Sequence, residues 1–160
     1  TSAAATRLAT VDTASLTVPA ATTIALKATY VAPSAFTATR TVAQVWWDAS
    51  IWVGGFVTTT HATTSTFTCN FRIGGVDSTV ASVATMTAGA SNVVACYYDG
   101  TNKAACVGGT CNTSAVALTL PSGAATLYVG GRQAGAGFEA NGVIKGLCVD
   151  ETLATCGVTP

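Results

Sequence analysis

Hydrophobic and polar positions alternate with a period of two along much of this chain, the spacing of strands with one face buried and one wet. In 24–30, Ile24, Leu26, Ala28 and Tyr30 share one face, while Lys27 and Thr29 share the other. In 67–73, Phe67, Cys69, Phe71 and Ile73 point inward, and Asn70 and Arg72 face water. The same reading predicts strands over 8–11, 15–18, 24–32, 42–47, 52–58, 66–73, 79–86, 93–98, 104–107, 110–113, 115–120, 126–129 and 142–149. Thr and Val dominate, Glu and Leu are scarce, and Gly recurs at turn spacing, so the only helical turn expected is at 151–155. Many short strands separated by turn residues predict an all-β sandwich or barrel. No repeat or linker divides the chain, and 160 residues fit a single domain. The Ala/Thr-rich residues 1–20 are read as N-terminal edge strands of that domain, or as an arm added to a neighbouring subunit's sheet.

Six cysteines add crosslinks to this picture. An even count at strand-like positions suits an oxidising compartment, so the expected location is extracellular, at a cell surface or on a virion. Zinc is not expected, since the chain has no CxxC pair and a single His. In Cys106-Val107-Gly108-Gly109-Thr110-Cys111 the Gly-Gly pair reads as a two-residue hairpin turn. Val107 then opposes Thr110 through hydrogen bonds, and Cys106 opposes Cys111 at a site where Cα atoms approach to roughly 4.5 Å, within disulfide range. Cys148 and Cys156 would pin the C-terminal segment, which leaves Cys69 with Cys96. Other pairings of six cysteines remain open at this point.

Charge narrows the partners. Only 9% of residues are charged, and seven basic residues balance seven acidic ones. A nucleic-acid partner would need a basic surface, and none is expected. Membrane insertion is not expected either: although 49% of residues are hydrophobic, no apolar run approaches the ~20 residues of a spanning helix. Zero net charge removes the long-range repulsion between copies, which favours self-association.

The second half carries a recognisable order of pieces. Residues 92–101 run Asn-Val-Val-Ala-Cys-Tyr-Tyr-Asp-Gly-Thr, followed by the Gly108-Gly109 hairpin and by Leu127-Tyr128-Val129-Gly130-Gly131-Arg132. Phe138, the run 141–149 and Leu153 complete it. This stretch resembles the laminin-G-like branch of the concanavalin A-like lectin/glucanase superfamily, over roughly residues 90–156. The resemblance implies a jelly-roll sandwich of two antiparallel sheets, here stapled by disulfides, used mostly for glycan or protein binding. Ala90-Ser91-Asn92 stand where the family carries a Trp, and Lys145 and Gly146 replace acids of its late strand. The second change removes acids that a family-like calcium site would draw on, and no metal or cofactor is expected.

Chemistry-bearing residues are few. In the enzymatic branch of that superfamily the resemblance implies two carboxylates on one strand face for glycoside hydrolysis, and Asp12, Asp48, Asp77, Asp99, Glu139, Asp150 and Glu151 lack that spacing. His61 sits in a Thr-rich loop without a Gly-x-Ser-x-Gly elbow. The expectation is therefore a chain that catalyses nothing. Asp99 reads as a turn former rather than a calcium ligand. Trp46, Trp47, Asp48 and Trp52 form the candidate binding feature. Adjacent Trp residues point to opposite strand faces, leaving one for the core and one for a sugar or a protein partner. Asn112-Thr113-Ser114 is a glycosylation sequon. The favoured expectation is a structural or adhesive subunit of an extracellular assembly, such as a surface filament or virion, that binds other copies of itself. The alternative is a lectin-like module that binds glycans.

Overall fold

The computed structural model describes the backbone of residues 12–18 and the whole of residues 23–131 and 140–159. The strand expected at 8–11, and Arg132, Phe138 and Glu139, lie outside the described residues. The elements are β1 (Asp12–Val18), β2 (Ile24–Val31), β3 (Arg40–Asp48), β4 (Ile51–Thr59), β5 (Thr64–Ile73), β6 (Val76–Thr87), β7 (Ser91–Tyr98), β8 (Asn102–Val107), β9 (Thr110–Ala115), β10 (Gly123–Val129) and β11 (Val143–Asp150), then a 3-10 turn, Leu153–Cys156. They form two antiparallel sheets, one of six strands in the order β1-β10-β3-β4-β5-β6 and one of five in the order β11-β2-β7-β8-β9. This is a jelly-roll sandwich.

Two expected elements are corrected. No strand spans 115–120, because β9 ends at Ala115. Leu120 is buried and Val116 and Leu118 pack on the core. Their backbone, however, bonds to the Thr101 carbonyl and the Tyr98 hydroxyl rather than to a neighbouring strand. Apolar alternation records a buried face and not a hydrogen-bonded neighbour. The helical turn expected at 151–155 begins later, at Leu153, and ends where Gly157 adopts φ 60°.

The core lies between the sheets. Ile24, Leu26, Ala28 and Tyr30 of β2 face Val45, Val53, Phe67 and Phe71 of the six-stranded sheet. Gly54 and Gly55 lie in mid-strand, not in a turn. A Cβ on Gly55 would meet the Phe67 ring at 2.5 Å, and one on Gly54 would meet the Phe56 ring at 2.8 Å. The five-stranded sheet is also covered outside: Leu153, Cys156 and Val158 pack onto Ala25, Ala95, Tyr97, Ala104 and Cys106. Burial on both faces explains the continuous buried runs in β7 and β8.

Three disulfides fasten these layers. Cys69–Cys96 ties β5 to β7, and so one sheet to the other, with Cα atoms 5.5 Å apart. Cys106–Cys111 spans the β8–β9 hairpin at 4.0 Å, where Gly108 and Gly109 take φ values of 59° and 84°. Both are left-handed conformations that glycine adopts without steric cost. Cys148–Cys156 holds the 3-10 turn to β11, again at 5.5 Å.

The sheet edges are managed locally. β6 shifts register between its Thr85 and Ala81 pairings. At that irregularity the Ser82 hydroxyl accepts the Phe67 N–H at 3.0 Å and donates to the Ala84 carbonyl at 2.7 Å. The Asn112 side-chain amide reaches across from β9 and donates to the Ala81 carbonyl at 2.8 Å. Lys103, 5% exposed, bridges the sheets from inside by donating to the Ser78 hydroxyl.

Candidate functional site

The outer face of the six-stranded sheet carries the tryptophans. Val45, Val53 and Phe71 point into the core, so their strand neighbours Trp46, Trp52 and Arg72 point away from it. The register sets Thr126, Trp46, Trp52, Arg72 and Asp77 side by side, one from each of β10, β3, β4, β5 and β6. The next row along the strands is Tyr128, Gln44, Gly54, Asn70 and Thr79.

Each member of this surface has a local cause. The turn between β3 and β4 is fixed by Asp48, whose carboxylate accepts the Ser50 N–H at 2.6 Å. A register shift between Trp46 and Asp48 leaves Trp47 unpaired in the ladder. Trp47 packs against the core and leaves its indole N–H buried without a hydrogen-bond partner. Trp46 and Trp52 remain half-buried on the opposite face. Gly54 leaves room for the Phe56 ring, which meets Trp52 edge to face with centroids 5.9 Å apart and planes at 73°. Arg72 pairs with Asp77 at 3.4 Å, both partners substantially exposed. Exposed pairs of this kind contribute little stability, roughly 0–1 kcal/mol, so their effect here is to hold a guanidinium beside Trp52. Asn70 Oδ1 and Arg72 Nε are buried atoms without hydrogen-bond partners. The surface thus combines half-buried aromatic side chains with the accessible parts of the Arg72–Asp77 pair.

Of the residues singled out from sequence, Trp46 and Trp52 come together here and Trp47 does not. Asp48 faces the turn and is engaged by the backbone. Asn70, Arg72, Asp77, Thr126 and Tyr128 join the surface without having been singled out, and the buried Phe56 packs against Trp52 on the same side. The outward positions of Asn70 and Arg72 were readable from alternation, but which strand lies beside them was not.

The other candidates lie elsewhere. His61 is exposed between β4 and β5. Asp99 accepts the Asn102 N–H at 2.6 Å, the Thr101 N–H at 2.8 Å and the Asn102 side-chain amide at 3.3 Å. Burial works to raise its carboxyl, but these hydrogen bonds prevail and hold it below its usual range. Asp48, Asp99 and Asp150 all do the same job, each accepting the N–H two residues on. Asn112 is half-buried, and its amide is the inter-sheet donor described above. Among the described residues no three His, Cys, Asp or Glu side chains are grouped to hold a metal ion. No helix among them is long and apolar enough to cross a membrane.

No protein-family profile and no curated protein sequence matches the chain. Solved structures do. The LG4-5 domains of the mouse laminin alpha1 chain superpose with a TM-score of 0.64 at 14% identity, over 87% of this chain and 39% of that one. The CBM40 of the Ruminococcus gnavus IT-sialidase, bound to alpha2,3 sialyllactose, gives 0.65 at 17% identity, over 83% of this chain and 78% of that one. The enzymatically active domain of bacteriophage CBA120 tailspike protein 2 gives 0.57 at 9% identity, over 86% of this chain and 23% of that one. This chain therefore spans well under half the length of the laminin and tailspike chains. Polysaccharide and alginate lyases are also among the structural neighbours. The enzymatically active tailspike domain overturns the expectation of a chain that catalyses nothing: the sandwich is shared by enzymes and binding modules alike, and fold alone does not settle enzyme status. What the superpositions establish is the architecture, the concanavalin A-like jelly roll that laminin LG domains, a pentraxin, a galectin-like lectin and a CBM40 also adopt.

Proposed function

We propose that this domain binds glycans on the outer face of its six-stranded sheet, as an extracellular or surface-displayed module. The observation that carries this reading is the row Thr126–Trp46–Trp52–Arg72–Asp77, with Phe56 and Tyr128 beside it. Aromatic faces stack on the apolar face of a pyranose ring, while flanking amide, guanidinium and carboxylate groups exchange hydrogen bonds with its hydroxyls. Three disulfides suit an oxidising compartment. The CBM40 relative, described as bound to a sialylated sugar, lends support from a shared fold. A glycan array probed with the wild-type chain and with Trp52→Ala tests the reading. Saturable binding to a defined glycan class, lost in the variant, is expected; a wild-type array without hits overturns it.

A self-associating structural or adhesive subunit is the second reading. It is favoured by zero net charge and by Val76 and Val83, 70% and 65% exposed on edge strand β6. We rank it second because β1 is hydrogen-bonded to β10 of its own sheet. Donating residues 12–18 to a neighbouring copy would require breaking that pairing. A species that stays monomeric in light scattering at high concentration removes this reading.

A further inference from the structure

A separate cavity of about 200 Å³ lies on the opposite side of the molecule, where the C-terminal segment crosses the outer face of the five-stranded sheet. Its walls are Val93 and Ala95 of β7, the Cys106–Cys111 bridge, and the segment Gly157–Val158–Thr159, with Lys27 of β2 reaching in. Lys27 is the one charged side chain among those walls. Its ammonium donates to the Gly157 carbonyl at 2.7 Å, the one hydrogen bond it makes among the described residues. An ammonium has three donors, so two are unused among the described residues.

The site is built rather than incidental. Gly157 takes φ 60°, a conformation that side chains other than glycine's rarely adopt, and a Cβ there would meet Lys27 Nζ at 3.3 Å. Its N–H and that of Val158 cap the 3-10 turn through the Ala154 and Leu153 carbonyls, at 2.9 and 3.0 Å. The Cys148–Cys156 bridge anchors the same turn to β11. The roof over Lys27 is thus fixed by a disulfide, two backbone bonds and a conformation that favours glycine.

We propose that this cavity is a second ligand site, selective for a small organic carboxylate with an apolar body. At ~30 Å³ per water the volume equals about seven waters, enough for roughly a six-carbon acid. The carboxylate pairs with Lys27, a charge-assisted contact, and the apolar body lies against Val93, Val158 and the disulfide sulfurs. A neutral ligand gains only the second part. A phosphate gains only the first and would set a doubly charged group against apolar walls.

The test uses hexanoate and benzoate as probes, followed by amide and methyl chemical shifts of the full chain. Saturable shifts confined to Lys27, Val93, Val158 and Thr159 are expected for both acids. Hexanamide and inorganic phosphate should bind at least tenfold more weakly. Lys27→Met keeps the stem and removes the charge, and should weaken the acids at least tenfold. Val93→Trp fills the mouth from a half-exposed position and should abolish binding while Lys27 stays intact. An unchanged thermal midpoint establishes that each variant is folded. Absence of saturable shifts with wild type, equal binding of hexanamide, or unaltered affinity in both folded variants overturns the proposal.

Discussion

Trp46 and Trp52 stand directly opposite each other in the β3–β4 hairpin, on the side of the sheet that faces away from the core. Trp47, the next residue along, packs against the core instead. Substitution of the three should therefore separate binding from stability. Trp46→Ala and Trp52→Ala are expected to weaken glycan binding at least tenfold while moving the denaturation midpoint little. Trp47→Ala should leave the binding surface in place and cost about 2 kcal/mol, below the ~3–5 kcal/mol of truncating a fully buried Trp because Trp47 is only partly buried. Titration with an array-identified glycan, paired with urea denaturation of each variant, checks both halves. Equal binding losses in all three would mean that the Trp46–Trp52 face has no special part in recognition.

Gly55→Ala should be among the most destabilising small changes. The added methyl would meet the Phe67 ring, itself buried between the sheets. Overpacking of this kind costs roughly 1–3 kcal/mol. Gly54→Ala would instead push the Phe56 ring, on the outer face, and should impair glycan binding more than stability. Denaturation midpoints and binding constants for the two variants distinguish the faces.

The Cys69–Cys96 bridge closes a loop of sequence separation 27. On the chain-entropy account, removing it by paired Cys→Ala substitution should cost about 3.5 kcal/mol. The Cys106–Cys111 bridge, of separation 5, should contribute less. Thermal unfolding of the two double variants gives the comparison, and a larger loss for the hairpin bridge would contradict it.

Alkaline pH should destabilise the domain through Tyr30. Burial raises its phenol from 10.0 to about 12, with the charge of Arg40 acting in the other direction, and its hydroxyl donates to Asn141 at 3.2 Å. Below pH 10 the phenol is neutral in both folded and unfolded chains, so it imposes no pH dependence. Between 10 and about 12 the unfolded chain sheds a proton that the fold retains, so stability falls as pH rises. Tyr30→Phe should flatten that decline in urea midpoints measured across the window. Lys103 has the opposite sign: burial lowers its ammonium from 10.5, so its contribution improves as pH rises toward that value. Lys103→Met should remove the rise.

Asp99 contributes on the acid side. Its lowered carboxyl contributes stability that is present above the ordinary value of 3.8 and lost as pH falls through the folded value below it. Asp99→Asn should reduce stability at neutral pH and shrink the acid-induced loss. An unchanged acid profile in this variant would mean that the Asp99–Asn102 turn has no share in it.

Much of this domain was determined by its sequence alone. Period-two alternation assigned the inward faces of β2 and β5, because a strand side chain has only two directions to take. Hairpin arithmetic put Cys106 across from Cys111, because a two-residue turn admits one register. The Asp99 turn was legible for the same local reason. The tertiary structure alone decided which strands are neighbours, since pairings such as β10 with β3 join residues far apart in the chain and leave no periodic trace. It decided which of Trp46 and Trp47 turns outward, because that follows from which face of β3 the second sheet covers, with Val45 inward and Trp46 outward. It also brought Lys27 under Gly157, a contact across 130 residues that depends on how the last turn packs on the sheet.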